Sequence, residues 1–353
     1  MLFRGEVDLH SFLTRLFYSI IRKFLLFIGL FRWNTVTLFH WEYPPDLDLQ
    51  ILQTISGGQL VSHVNPHNGL KERFVFQDRH IVRVKNVILD VETGVVFNAE
   101  GKIINETSNY SRDYLIATAF PRPFPSLLAS ENNSAKLFLP NNGFYHWLCE
   151  DLPSFIRNSA YYPNDSEVLV SKNIRKYAQD FLSMGNFQTK KSVRYQKFDE
   201  LLFACYEQGS GWIDPRDVSL LKETFGVKQL PDSFRKLYVS RRNSRRSPSF
   251  ELQLEKHLSD CGWDIILAEE LTLLEQIEKF SQARMICGVG GANLANVIWA
   301  NPKVTLIELS DIWFSPCFSR MSQYLGFKYI LLEFRDSLNF DTKNLADRIE
   351  NIS

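Results

Sequence analysis

The residues RMICGVGGANLANVIWANPKVTLIELS, Arg284 to Ser310, decide the fold. Apolar runs at 285–287 and 304–309 read as buried strands, with a short helix at 292–299 between them. Gly288, Gly290 and Gly291 form the turn from strand to helix, and glycine lets a backbone come close to a ligand. The first N–H groups of a helix lack internal partners and favour negative charge. Strand, turn and helix together suit an anion cradle. Glu308 ends the second strand, where a carboxylate can reach ligand hydroxyls at the carboxyl edge of a parallel sheet. The competing reading is a tight packing turn that holds no ligand.

The same alternation extends to both sides. Apolar strands at 236–241, 263–268, 285–288, 304–309 and 329–334 are separated by helical patterns at 250–260, 272–283, 292–299 and 316–325. Short apolar strands spaced by helices predict a parallel sheet covered on both faces, with its ligand crevice at the carboxyl ends of the strands. Residues 234–335 therefore read as one α/β domain, followed by a terminal helix within 336–353 that packs back across the domain junction. Upstream, 51–226 reads as a second domain. Its start is rich in short strands, including a β-meander over 87–105 with turns at Glu92–Gly94 and Ala99–Gly101. It continues as α/β with a strand at 135–139, a helix within 141–160, a strand at 167–171, a helix at 174–185, a strand-like run at 193–206 and a helix at 215–226. The segment 227–233 is the linker.

Residues 1–50 hold an amphipathic segment and a proline-rich linker. In LHSFLTRLFYSIIRKFLLFIGLFRW (9–33), Arg15, Ser19, Arg22 and Lys23 fall on one helical stripe opposite Leu, Ile and Phe. That pattern suits a helix lying in a membrane interface, or one packed on the protein or a partner subunit. Its charges interrupt a transmembrane span, and Phe31, Arg32 and Trp33 are unsuited to a cleaved signal.

Composition excludes some classes. The 353 residues carry 40 Lys+Arg and 40 Asp+Glu, a balance unlike the broad positive surface of nucleic-acid binders. The five cysteines are scattered, with no C-x-x-C, which fits neither a disulfide framework nor a zinc site. N-x-[ST] triplets at Asn105, Asn132, Asn164 and Asn351 are compatible with secretion. The glycine turn lacks the G-x-G-x-x-G form and stands outside the first βα unit, which disfavours a nicotinamide-dependent dehydrogenase. No P-loop lysine motif occurs, and the D-x-D triplet Asp46–Asp48 lies in the linker, so no metal is expected.

Two further clusters carry chemistry. In FYHWLCEDLP (144–153), a helix starting near His146 puts Glu150 on the same face at i+4 and Asp151 beside it. A carboxylate, or a histidine backed by one, can take a proton from a hydroxyl. The plainer reading is a capped helix with a core tryptophan and solvated acids. In YVSRRNSRRSPS (238–249), a strand runs into Arg241, Arg242, Arg245 and Arg246. The guanidinium fork binds two oxygens of a diphosphate at once; the plainer reading is a solvated basic loop or a contact with anionic lipid.

The order of these blocks resembles glycosyltransferase family 61. NNGFYHWLCEDLPSF, KLYVSRRNSRRS and the run LTLLEQIEKFSQARMICGVGGANLANVIWANPKVTLIEL carry the resemblance, which spans about residues 137–310. It implies a GT-B-like architecture, two Rossmann-like domains with parallel sheets facing across a cleft. It also implies inverting transfer from a nucleotide sugar, usually UDP-linked, to a glycan or lipid-linked acceptor, without an obligatory metal or cofactor. The donor would lie on Arg241, Arg245, Arg246, Gly290, Gly291, Ala292, Asn293, Asn296 and Glu308. Glu150 or Asp151, with His146 beside them, would supply the base, and Asn142, Tyr145 and Trp147 the acceptor side. A cytoplasmic place at the inner membrane face, and an oligomer, are compatible with this reading. Two departures stand out: Gly290 occupies the family's histidine position in the turn, and Ser249–Phe250 replaces its Asn–Glu. The second expectation is therefore a non-catalytic sugar-nucleotide-binding or scaffolding subunit.

Overall fold

A computed structural model of the chain describes residues 35–36, 48–107, 130–131, 137–206, 211–227, 234–311, 315–335 and 340–352. The amphipathic segment 9–33 and most of the 227–233 linker lie outside the described residues. Among the described residues the chain is mixed α/β.

The C-terminal sheet is parallel throughout. Its spatial order is Asp264–Ile266, Arg235–Val239, Ala283–Val289, Thr305–Ser310 and Lys328–Glu333. Side chains of adjacent residues alternate between two apolar layers, as the strand period demands. Leu237, Val239, Ile286 and Leu306 enter a core with Ile277, Phe280, Trp299 and Phe318. Tyr238, Cys287 and Ile307 enter another with Leu254, Leu258, Leu345 and Ile349. Both faces are covered, which explains why these strands read as near-continuous apolar runs. The chain leaves the Arg235–Val239 strand to one side first and to the other side next, so the topological switch point falls between that strand and Ala283–Val289. A crevice forms at such a point, outside the carboxyl ends of the strands.

The terminal helix Thr342–Glu350 packs on helix Glu251–Asp260 of this same sheet rather than across a domain junction. The reason is its apolar stripe, Leu345, Ala346 and Ile349, which completes the second core. Glu350 also accepts from Lys236 Nζ at 3.1 Å and from the Trp263 indole.

The upstream half departs further from the sequence reading. Its parallel sheet has three strands, in the order Thr189–Ser192, Val168–Ser171, Leu137–Leu139. The run 193–206 is not one element with this sheet. Thr189–Ser192 ends the parallel sheet, and Tyr195–Ala204 pairs antiparallel with the 12-residue strand Arg79–Asp90 in a separate seven-stranded sheet. Arg194 marks the crossing, its guanidinium clasping the fully buried Asp90 at 2.9 Å. The meander strands Val96–Phe97 and Ile103–Ile104 belong to this larger sheet, so the meander is part of its core.

A separate hairpin, Leu60–Val64 with Lys71–Val75, reaches the C-terminal half. His63 lies within 3.0 Å of Glu72 and 2.9 Å of Ser319 Oγ, and Arg320 Nε donates to Glu72 at 2.8 Å. Trp212 stacks between Phe74 and Tyr324, with the Arg320 guanidinium 4.3 Å from its ring centroid. One apolar core is shared by both parallel sheets, and it includes Trp147, Phe155, Phe181, Trp299 and Phe318.

Candidate functional site

The crevice at the switch point is built by two strand ends. Arg241 follows Arg235–Val239, and its backbone N–H donates to Glu251 Oε1 at 2.7 Å. Its guanidinium donates to the Gly290 carbonyl and, at 3.2 Å, to Ser244 Oγ. Burial, then the neighbouring Arg246, lowers its pKa from the ordinary arginine value. The guanidinium lies so close to the glycine turn that a Cβ on Gly291 would stand 2.9 Å from Arg241 Cζ. Only glycine permits that approach. The turn then winds into the 3-10 helix Ala292–Trp299, whose first bond runs from Leu294 N–H to Gly291 O at 3.0 Å. The amides of Gly291, Ala292 and Asn293 lie ahead of that bond, at the mouth of the crevice.

A cavity of about 310 Å³ opens there, lined by Val239, Arg241, Ser244, Arg245, Arg246, Glu269, Val289 and Gly291 to Leu294. Three arginines against one glutamate give it a cationic lining, and its size lies in the range of small-molecule pockets. Arg242 turns away to Glu255, 2.8 Å distant. Two polar lining residues were outside the sequence reading, Ser244 and Glu269. Ser244 lies inside the quoted arginine block, but nothing in that block shows that its hydroxyl will take an arginine. Glu269 joins the cavity only through the sheet order, and its Oε2 accepts from Asn293 Nδ2 at 2.8 Å.

Two expected donor contacts lie elsewhere. Asn296 is fully buried; its amide donates to Gln276 at 2.7 Å and accepts from the Trp299 indole at 3.2 Å. These bonds fasten the 3-10 helix to helix Leu273–Ser281, and Asn296 is absent from the cavity wall. Glu308 lies beneath the turn. Its Oε2 accepts from the Tyr329 hydroxyl at 2.7 Å, and its Oε1 would stand 2.6 Å from a Cβ on Gly290. Burial pushes its pKa up to about 7, only partly offset by the tyrosine. The absence of a side chain at position 290 is what makes room for this carboxyl.

The proton-handling cluster sits on an interrupted helix. Phe144–His146 is α-helical, Trp147–Asp151 is a π turn, and Leu152–Ser159 is α-helical again. Leu152 N–H reaches back to Trp147 O. Pro153 lacks an N–H and its ring clashes with the carbonyl four residues back, so a widened turn accommodates it. The consequence is a division between two adjacent acids. Glu150 lies 3.0 Å from His146 Nδ1. Asp151 instead accepts from Asn142 Nδ2 at 2.9 Å and from the Tyr206 hydroxyl at 3.3 Å. It lines a small internal void with Phe138, Phe155, Asn158 and Phe203. Burial, despite the Asn142 amide, pushes the Asp151 pKa up to about 7. Burial would lower the His146 imidazole, but the hydrogen bond and charge of Glu150 outweigh it and raise the pKa.

Trp147 is wholly buried, ringed by Phe144, Tyr177 and Phe181, and serves the core rather than a ligand surface. Tyr145 is buried against Phe318, with ring centroids 5.9 Å apart. His146 is partly exposed, its side chain 26% accessible. The turn Phe144–His146 packs directly on the Ala292–Trp299 helix, so the histidine-bearing turn and the anion cradle share a contact. Among the described residues no group of three His, Cys, Asp or Glu is placed to hold a metal ion. No helix among them is long and apolar enough to cross a membrane.

The fold and the crevice define an α/β protein with an arginine-lined switch point, whose 3-10 helix packs against the turn that bears His146. The family model described as Glycosyltransferase 61 matches residues 144–307, a span holding both clusters. Those residues are similar to glycosyltransferase family 61, a match that supports membership of that family and suggests glycosyltransferase activity in glycan synthesis. No curated protein matches the chain. Among solved structures, the metal-soaked flavodiiron core of Flv1 from Synechocystis sp. PCC6803 is similar over 77% of this chain, at 8% identity and a TM-score of 0.25. The match covers 65% of that protein's chain, and a likeness this remote bears on neither fold nor function.

Proposed function

We propose that the chain is an inverting glycosyltransferase with a GT-B-like division of labour. In this reading 234–335 binds a nucleotide-sugar donor, UDP-linked by family resemblance, and 51–226 presents a glycan or lipid-linked acceptor. The observation that carries it is the cavity in which Arg241, Arg245 and Arg246 meet the opening amides of the glycine turn. Such a set suits a leaving diphosphate, whose developing charge needs fixed donors.

The acceptor hydroxyl gives its proton to the His146 imidazole, which Glu150 orients and whose positive charge Glu150 then stabilises. The acceptor oxygen bonds to the anomeric carbon as the bond from that carbon to the diphosphate oxygen breaks, with inversion. Asp151 keeps Asn142 in place from below. Residues 9–33 bring the enzyme to the inner face of a membrane, where a lipid-linked acceptor resides.

The test is transfer from a panel of UDP-, GDP-, dTDP- and CMP-sugars, after a thermal-shift screen for the nucleotide that stabilises the fold. His146→Gln and Glu150→Gln are expected to lower turnover by about 10²–10⁴-fold while leaving donor binding intact. Unchanged turnover in both would overturn the reading.

The rival, a sugar-nucleotide-binding or scaffolding subunit without turnover, draws support from position 290. The family pattern has a histidine there, whereas here the Glu308 carboxyl fills the space a side chain would need. Stabilisation by a nucleotide sugar, with neither transfer nor hydrolysis at any acceptor, would favour it.

A further inference from the structure

The hairpin Leu60–Val64 with Lys71–Val75 has two faces, because side chains alternate along each strand. Its inner face is Val61, His63, Glu72 and Phe74, and three of these meet Ser319, Arg320 and Trp212. Its outer face pairs Leu60 with Val75, Ser62 with Arg73 and Val64 with Lys71. The outer face of an antiparallel pair normally carries polar side chains. Here Leu60, Val64 and Val75 are 59%, 57% and 42% exposed, and Leu70, just before the second strand, is 64% exposed. Lys71 and Arg73 are exposed among them, and the face holds no acid. Among the described residues the two strands pair only with each other.

Apolar side chains interspersed with cations fit one kind of surface. Leucine and valine enter the boundary between headgroups and acyl chains, while lysine and arginine keep their charges among anionic headgroups. A protein partner fits less well. Two five-residue strands, about 17 Å long and about 5 Å apart, offer far less than the roughly 800 Å² per partner of a stable protein interface. Residues 9–33 are a poor cover as well, since Arg15, Arg22 and Lys23 would be set against Lys71 and Arg73. The same like charges suit a shared anionic surface, and stable anchoring takes two such contacts.

We infer that the outer face of this hairpin, Leu60, Val64, Leu70 and Val75 with Lys71 and Arg73, docks on an anionic phospholipid surface. The contact does not depend on the proposed reaction, but it gives the site a direction. His67 Nδ1, in the turn of the hairpin, lies 2.6 Å from Glu333 Oε1. Glu333 ends strand Lys328–Glu333 at the carboxyl edge of the C-terminal sheet, the edge where the arginine-lined cavity opens. Docking therefore brings that edge toward the bilayer, where a lipid-linked acceptor would be held.

The experiment measures binding of the full chain to vesicles of phosphatidylcholine, and of phosphatidylcholine mixed with phosphatidylserine, by co-sedimentation. The parent protein is expected to prefer the mixed vesicles by about tenfold or more. Lys71→Gln with Arg73→Gln should weaken binding to the mixed vesicles by about thirtyfold, the scale of two basic residues at an anionic surface. Val64→Ser with Leu70→Ser should weaken it by about tenfold. All four positions are exposed, so both variants should unfold at the temperature of the parent. Binding that both hairpin variants retain, but that Arg15→Gln, Arg22→Gln and Lys23→Gln together abolish, overturns the inference and leaves the membrane reading of 9–33 standing. A parent that binds neither vesicle overturns both. A dimer of the parent that the hairpin substitutions dissolve, with vesicle binding unchanged, would assign the face to a second copy and also overturn the inference. Vesicle binding needs no turnover, so none of these outcomes bears on the transferase reading.

Discussion

At the scale of single residues, the site turns on one guanidinium held between a serine and a glycine carbonyl. Arg241→Lys keeps the charge but loses the planar fork, so pyrophosphate affinity is expected to fall by about tenfold in a titration. Gly291→Ala attacks the same contact from the other side. Its methyl would stand 2.9 Å from Arg241 Cζ, so either the arginine or the turn must move. The expected result is a loss of about 1–3 kcal/mol in chemical denaturation, together with weakened pyrophosphate binding. Under the proposed mechanism His146 sets the pH dependence of turnover. As a base it must be neutral, and Glu150 raises its pKa above the ordinary histidine value. The acid limb of kcat/KM should therefore lie above the ordinary histidine range and disappear in the residual activity of His146→Gln.

At the scale of elements, the alternating strands and helices of 234–335 were legible because the central strands are buried on both faces and read as short apolar runs. The glycine turn was legible for a similar reason, since three glycines between such runs mark a close approach. The π turn was not: its cause, Pro153, is visible, but whether the helix breaks, bends or widens there depends on packing around Trp147. The helical spacing paired His146 with Glu150 correctly in space, yet it set Asp151 on the same site, whereas the widened turn sends it to Asn142 and Tyr206. Nor could periodicity show that the chain changes sheets at Arg194, because the short polar strand before it, Thr189–Ser192, carries no apolar pattern of its own. Glu269 was invisible because its partner Asn293 is 24 residues away and only the sheet order unites them. The hairpin that straps Glu72 to Arg320 is another long-range product. Arg320→Ala would leave His63 and Glu72 without their cation and strip the ring of Trp212. A cost of about 1–3 kcal/mol is expected, measured by urea denaturation.

At the scale of the whole molecule, the shared core ties stability to the charge state of acids sealed within it. Asp151 and Glu308 both have pKa values near 7, raised by burial far above those of an unfolded chain. Between about pH 4 and pH 7 the folded state therefore binds more protons at these two positions than the unfolded state does. Stability from this source is complete in acid and is lost as pH rises through the folded pKa values. Other groups pull the opposite way, among them Asp217, which Arg79 and Arg157 hold below its ordinary value despite burial. The net curve is thus a poor readout, and the difference between variant and parent isolates the effect. Asp151→Asn removes the charge that burial opposes. It should leave stability nearly unchanged near pH 3, below both pKa values, and raise it at pH 8, by on the order of 2–4 kcal/mol. Calorimetry across this range checks the sign. A variant less stable than the parent at pH 8 would mean that the ionised carboxylate is the form the fold requires, held by Asn142 and Tyr206 as an anion.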